Sequence, residues 1–171
     1  DFVAYNYLGT EMSVNRTDDN TWIIPNAQKL DRIGYYVNDT FDIENTEKPT
    51  PFSPSGTNIS EDNFVLNLHG FIGYFEELKD NSYKLAITSP VGMKKSAALP
   101  ISSSNILEGD SLVVDNYTAG RYFDITDNPM FYGDLDIEEF MVGDIEIVLS
   151  VYSPNGVHSA ASIKNTIFEM M

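Results

Sequence analysis

The sequence predicts an all-β domain, either an antiparallel β-sandwich or a curved, saddle-like sheet, finished by a short C-terminal helix. Three observations carry this. Over most of the 171 residues, apolar side chains recur with a period near two, as in half-buried strands. Clusters of Gly, Pro, Asn and Asp divide these runs at the spacing of an antiparallel sandwich. Only after Ser159 does the period lengthen to that of a helix.

Taken in order, "NTWIIP" is a short strand, and "DRIGYYVNDTF" alternates Ile33, Tyr35 and Val37 against Arg32, Gly34, Tyr36 and Asn38. From Glu44 to Ser60 the chain is proline-rich and aperiodic, which predicts a long loop. "NFVLNLHGFIGYFEEL" begins as a strand, with Phe64, Leu66 and Leu68 on its core face and Asn67 and His69 opposite. Gly70 and Gly73 are then expected to turn the backbone sharply out of the sheet. "SYKLAIT" sets Tyr83, Leu85 and Ile87 inward, and "DSLVVDNY" is a shorter run of the same kind. Asp127-Asn128-Pro129 reads as a turn, because the residue before proline avoids the helical region. "GDIEIVLSVYS" points Ile145, Ile147, Leu149 and Val151 inward and ends in the Pro154-Asn155-Gly156 turn. "AASIKNTIFEMM" places Ile163, Ile167, Met170 and Met171 on one helical face, with Ser159 as its N-cap. The division expected is a β domain over 1–158 and a linker helix over 159–171. The helix runs to the last residue, and the chain opens at Asp1 rather than Met, so a piece of a longer protein is expected.

Composition narrows the function classes. The chain is 42% hydrophobic and 12% aromatic, enough to build a packed core. Its 26 acidic and 10 basic residues give a net charge of −16, a field that repels phosphate backbones and anionic lipid surfaces. Neither nucleic acid nor a membrane is therefore expected as a partner, and no apolar run approaches the roughly 20 residues of a spanning helix. The absence of cysteine excludes disulfides, thiolate metal sites and a Cys nucleophile.

Catalytic signatures are missing as well. His69 and His158 are far apart, with no carboxylate at the helical spacing a zinc site such as H-E-x-x-H requires. No G-x-S-x-G elbow, P-loop or G-x-G-x-x-G occurs. The densest acidic constellation, Asp134, Asp136 and Glu138, alternates with Leu135 and Ile137 and so shares one strand face. A solvated face is the expectation; a calcium site would need a loop bending these oxygens round one ion. His69 admits two readings, a buried hydrogen-bonded histidine or, with Asn67 and the neighbouring aromatics, part of a cleft.

Several segments together resemble one known family. "NTWIIPNAQKLDRIGYYVNDTFD", "NFVLNLHGFIGYFEEL", "YKLAITSPVGMKKSAALP", "YFDITDNPMFYG" and "SVYSPNGVHSAASIKNTI", in that order, are similar to the glycyl aminopeptidase family of zinc metallopeptidases, Bacteroidetes-type members above all. The likeness covers the family's amino-terminal β domain, with that domain's opening strands missing. It implies a non-catalytic domain that packs in cis against a catalytic domain and covers one side of the cleft for a peptide substrate. No cofactor is expected in this chain, and zinc is expected in the catalytic domain. A bacterial, exported protein, periplasmic or at the cell surface, is implied. In the broader clan, a polar side chain of this domain helps bind the substrate's free amine. By that analogy Asn67 and His69 supply polar contacts, and Phe71, Tyr74 and Phe75 a wall; no catalytic or metal residue carries over. The competing expectation is a secreted carbohydrate- or protein-binding β-sandwich module, which a flat row of exposed aromatics on one sheet face would favour.

Overall fold

The computed structural model describes residues 2–40, 56–109 and 111–170. The chain divides into two compact units, Asp1–Asn38 and Asp39–Met171. Strands dominate both, and every strand pairing in them is antiparallel, so the fold is all-β.

The first unit holds β1 (Phe2–Asn6), β2 (Glu11–Met12), β3 (Asn15–Arg16), β4 (Trp22–Ile23) and β5 (Leu30–Tyr35). Sheet order is β2-β1-β5, and β3 pairs β4 alone. Ala4, fully buried, faces Met12 on one side and Ile33 on the other. The tight β1–β2 turn is closed by the Asn6 side chain, which accepts from the N–H groups of Leu8 at 2.9 Å and Thr10 at 3.0 Å. The run from Ile33 to Val37 is less buried than its alternation predicts. Strand β5 stops at Tyr35, which is 39% exposed, because its ring stacks on Phe2 rather than entering a core.

The second unit adds β6 (Asn58–Ile59), β7 (Asn63–Leu66), β8 (Tyr83–Pro90), β9 (Lys94–Ser96), β10 (Ile101–Ile106), β11 (Leu112–Ala119), β12 (Met130–Gly133), β13 (Asp136–Val142) and β14 (Ile145–Val151). Its helices are α1 (Leu68–Phe71), α2 (Tyr122–Thr126) and α3 (Ala160–Met170). One sheet runs β6-β7-β12-β9, a second β10-β11-β8, and β13–β14 form a hairpin. Core side chains come from both larger sheets and the short helices: Leu66, Leu68, Leu85, Tyr117, Ile125, Met130 and Tyr132. The Tyr117 and Tyr132 hydroxyls meet at 2.7 Å inside it, one from each sheet. Lys95 of β9 pairs with the fully buried Asp115 of β11, a second link between the sheets.

Several expectations are corrected here. Most of the predicted Glu44–Ser60 loop lies outside the described residues, but Asn58–Ile59 at its end is an edge strand against Phe64 and Val65. The strand through Phe64 is shorter than predicted. It ends at Leu66, and Leu68 is core from the helix α1 rather than from the strand. Neither Gly70 nor Gly73 adopts a positive φ; the chain leaves the sheet through a helical turn. Gly143, by contrast, has φ 61° at the first position of the two-residue β13–β14 turn, a left-handed conformation that glycine adopts with no Cβ penalty. In β14, Ile147, Leu149 and Val151 are half-buried, whereas Ile145 at the hairpin tip is 67% exposed.

Candidate functional site

The five predicted site residues lie on the chain that leaves β7. Asn67 is the N-cap of α1, and its side-chain oxygen accepts from the His69 N–H at 3.3 Å. This satisfies one of the donors that a helix start leaves unpaired. Its own N–H donates to the buried Thr57 hydroxyl at 3.3 Å. Half-buried Asn67 is thereby fixed just past the end of β7, while His69 is exposed, which overturns the reading of His69 as a buried histidine. Phe71 is half-buried against the core, joining the wall to it.

Tyr74 and Phe75 are 48% and 44% exposed. Tyr74 packs on Tyr122 with ring centroids 4.7 Å apart, and Tyr122 packs on Tyr83 at 6.1 Å. The Tyr122 hydroxyl donates to the Ile72 carbonyl at 2.6 Å, and the Tyr122 N–H to the Lys79 carbonyl at 2.8 Å. Over Tyr74 stands the Lys79 ammonium, 4.9 Å from the ring centroid and 2.7 Å from Glu76. The hydrogen bond to Glu76 holds the Lys79 amine above its usual range. The wall is thus a three-tyrosine cluster with a cation on it. Sequence reasoning found Tyr74 but missed Tyr122, Tyr83 and Lys79. The available signal was "GRYF", two aromatics behind an arginine, in a chain with only 10 basic residues.

The acidic strand face also has a different task from the solvated one expected. Asp136 accepts from the Ala160 N–H at 2.8 Å, and Glu138 pairs with Lys164 at 3.1 Å. Both carboxylates hold α3 on the hairpin, and only Asp134 of the three stands free of the helix. Among the described residues no group of three or more His, Cys, Asp or Glu could hold a metal ion. In the first unit, Phe2 stacks on Trp22 at 5.0 Å and on Tyr35 at 5.8 Å, nearly parallel. Their faces are turned to one another, not laid side by side as a sugar-binding row would be.

The sequence pattern of the Peptidase M61 N-terminal domain matches residues 1–134. No curated protein matches the chain. Among solved structures, an aminopeptidase N family protein from Idiomarina loihiensis superposes with a TM-score of 0.67 at 18% identity. That likeness is one of fold, spanning 98% of this chain but only 26% of the other, so this chain covers about a quarter of that protein's length. With the family pattern running through both units and to the end of β12, the chain belongs to the family of peptidase M61 N-terminal domains.

Proposed function

We propose that this chain is the non-catalytic β domain of a zinc-dependent aminopeptidase, packed in cis against the catalytic domain and covering one side of its substrate cleft. The observation that carries this reading is the family match over residues 1–134. The exposed His69, Tyr74 and Phe75, on the chain that follows Asn67, support the cleft assignment, being polar and aromatic groups outside the core. Zinc, held by the catalytic domain in this reading, would polarise a scissile carbonyl and activate water. This chain binds and orients: Asn67 offers an amide oxygen to the peptide's free amine, and the tyrosine wall limits the side chain that can lie beside it.

The test is hydrolysis of amino-acid p-nitroanilides by the full-length protein, with and without chelator, beside the 171-residue chain. Activity that chelator abolishes and zinc restores, with an inert short chain, is the expected outcome; a chelator-insensitive or inactive full-length protein sinks the reading. Within it, Asn67→Ala raises KM several-fold at constant kcat. Serine also caps helices, so wild-type KM in Asn67→Ser would reduce Asn67 to a structural cap.

A further inference from the structure

Among the described residues, two buried side-chain atoms have no hydrogen-bond partner in the protein: Oδ2 of Asp115 and Oγ of Ser89. Both residues are sealed from bulk solvent, at 0% and 1% exposure. The strand register brings them together. In the β11–β8 ladder Val113 faces Ser89 and Asp115 faces Ile87, which makes Ser89 and Asp115 diagonal neighbours. They also share the inner face of that sheet. Val113, Asp115 and Tyr117 alternate inward along β11, and Leu85 and Ser89 do so along β8. The other carboxylate oxygen of Asp115 already engages the Lys95 ammonium and the Ser104 hydroxyl. A buried oxygen left bare carries the full desolvation cost of the group, and this is steepest for a carboxylate. Diagonal neighbours on one sheet face stand about 7 Å apart. Two hydrogen bonds in series through one water oxygen span about 5.6 Å, so one small molecule with a donor and an acceptor fits between the two groups.

We propose that Asp115 and Ser89 form an internal hydration site. One buried water donates to Oδ2 of Asp115 and accepts from the Ser89 hydroxyl, giving each group the partner the protein does not supply. Water suits the site better than a metal ion. The Lys95 ammonium already provides the positive charge beside Asp115, and among the described residues no three His, Cys, Asp or Glu gather into a ligand set. Lys95, with 18% of its side chain in solvent, marks the route by which this water exchanges. The consequence is a four-strand junction on one carboxylate. From its seat on β11, Asp115 reaches β9 through Lys95, β10 through Ser104, and β8 through the water and Ser89.

The experiment is oxygen-17 magnetic relaxation dispersion on the full-length protein, which counts waters held inside far longer than surface water. Ser89→Val fills the place of the hydroxyl and the water with methyl groups, whereas Ser89→Ala leaves room for the water on Asp115. The dispersion amplitude is expected to fall by the equivalent of one water in Ser89→Val and to persist in Ser89→Ala. Equal amplitudes in wild type and Ser89→Val overturn the proposal. A crystal structure of the unaltered protein reads the site without either variant. A water within about 3.2 Å of both Ser89 Oγ and Asp115 Oδ2 is expected. A direct Ser89–Asp115 hydrogen bond, or a metal ion between them, overturns it.

Discussion

The carboxylate of Asp136 accepts a hydrogen bond from the backbone N–H of Ala160 at 2.8 Å, so α3 is capped from the strand beneath it as well as from its own sequence. Ser159 provides the local cap, its hydroxyl accepting from the Ser162 N–H at 3.1 Å. The two acceptors satisfy different donors of the first turn, and the Asp136 charge adds to the favourable potential there. Asp136→Ala therefore costs about 1 kcal/mol, read by urea unfolding followed by circular dichroism, and Asp136→Asn costs less. Equal loss in both variants would show that the charge, not the hydrogen bond, is what matters.

The same helix gives a test of packing against charge. Phe140 is 9% exposed and carries both the Phe168 ring and, 5.2 Å from its centroid, the Lys164 ammonium. Removing that ring deletes buried surface and leaves a cavity, so Phe140→Ala destabilises by about 3 kcal/mol. The Lys164–Glu138 pair is partly solvated, at 27% and 36% side-chain exposure. Lys164→Met keeps the stem and loses a screened pair, with an effect under about 1 kcal/mol. Ranking the two variants by urea midpoint checks the order.

How much of this was legible in the sequence depends on whether a local pattern decided the outcome. Strand β8 was, since Leu85 is buried between exposed Lys84 and Ala86 as the alternation requires. The helix after Ser159 was too, since Ser159 caps it and Ile163 and Ile167 are half-buried; Met170 and Met171 of the predicted face lie outside the residues whose side chains are described. Along β11 the alternation also holds, but it carries Asp115 inward with Val113 and Tyr117. No local signal marks that aspartate as buried, because its partner Lys95 arrives from another sheet. Asn67 was picked out as polar and opposite the core, yet its capping bond ends the strand two residues early and turns His69 into solvent. For the site, Tyr74 was visible as an aromatic near two glycines, while Tyr122 joins it across 48 residues of sequence. Residues assembled by topology rather than by neighbourhood stayed hidden.

The Tyr117–Tyr132 hydroxyl pair predicts an alkaline limit. Burial pushes both phenols above the usual 10.0, Tyr132 the further of the two. In the unfolded chain the same groups ionise near 10. Below that pH both states hold the protons and stability is flat. Above it the unfolded state loses protons that the folded state retains, so stability falls as pH rises. Unfolding midpoints should be level from pH 8 to about 10 and drop beyond it, with tyrosinate absorbance from this pair appearing only as the chain unfolds. In Tyr132→Phe the Tyr117 hydroxyl loses its partner at a cost of about 1–3 kcal/mol, and the double Tyr→Phe variant recovers part of it.

The strongest single dependence should lie at Lys95 and Asp115. Asp115 is fully buried; one carboxylate oxygen takes the Lys95 ammonium and the Ser104 hydroxyl, the latter at 2.6 Å, and the other oxygen has no protein partner. Lys95 keeps 18% of its side chain in solvent. Losing the cation strands a charge in the core, whereas losing the carboxylate leaves an ammonium that can reach water. Lys95→Met is thus expected to cost about 3–5 kcal/mol, and Asp115→Asn, which keeps the shape and can still accept from Ser104, distinctly less. Combining the two removes the stranded charge, so the double variant should be more stable than Lys95→Met alone. A double-mutant cycle by urea unfolding reads this directly. Additive losses would mean that the two side chains do not sense each other across the sheets.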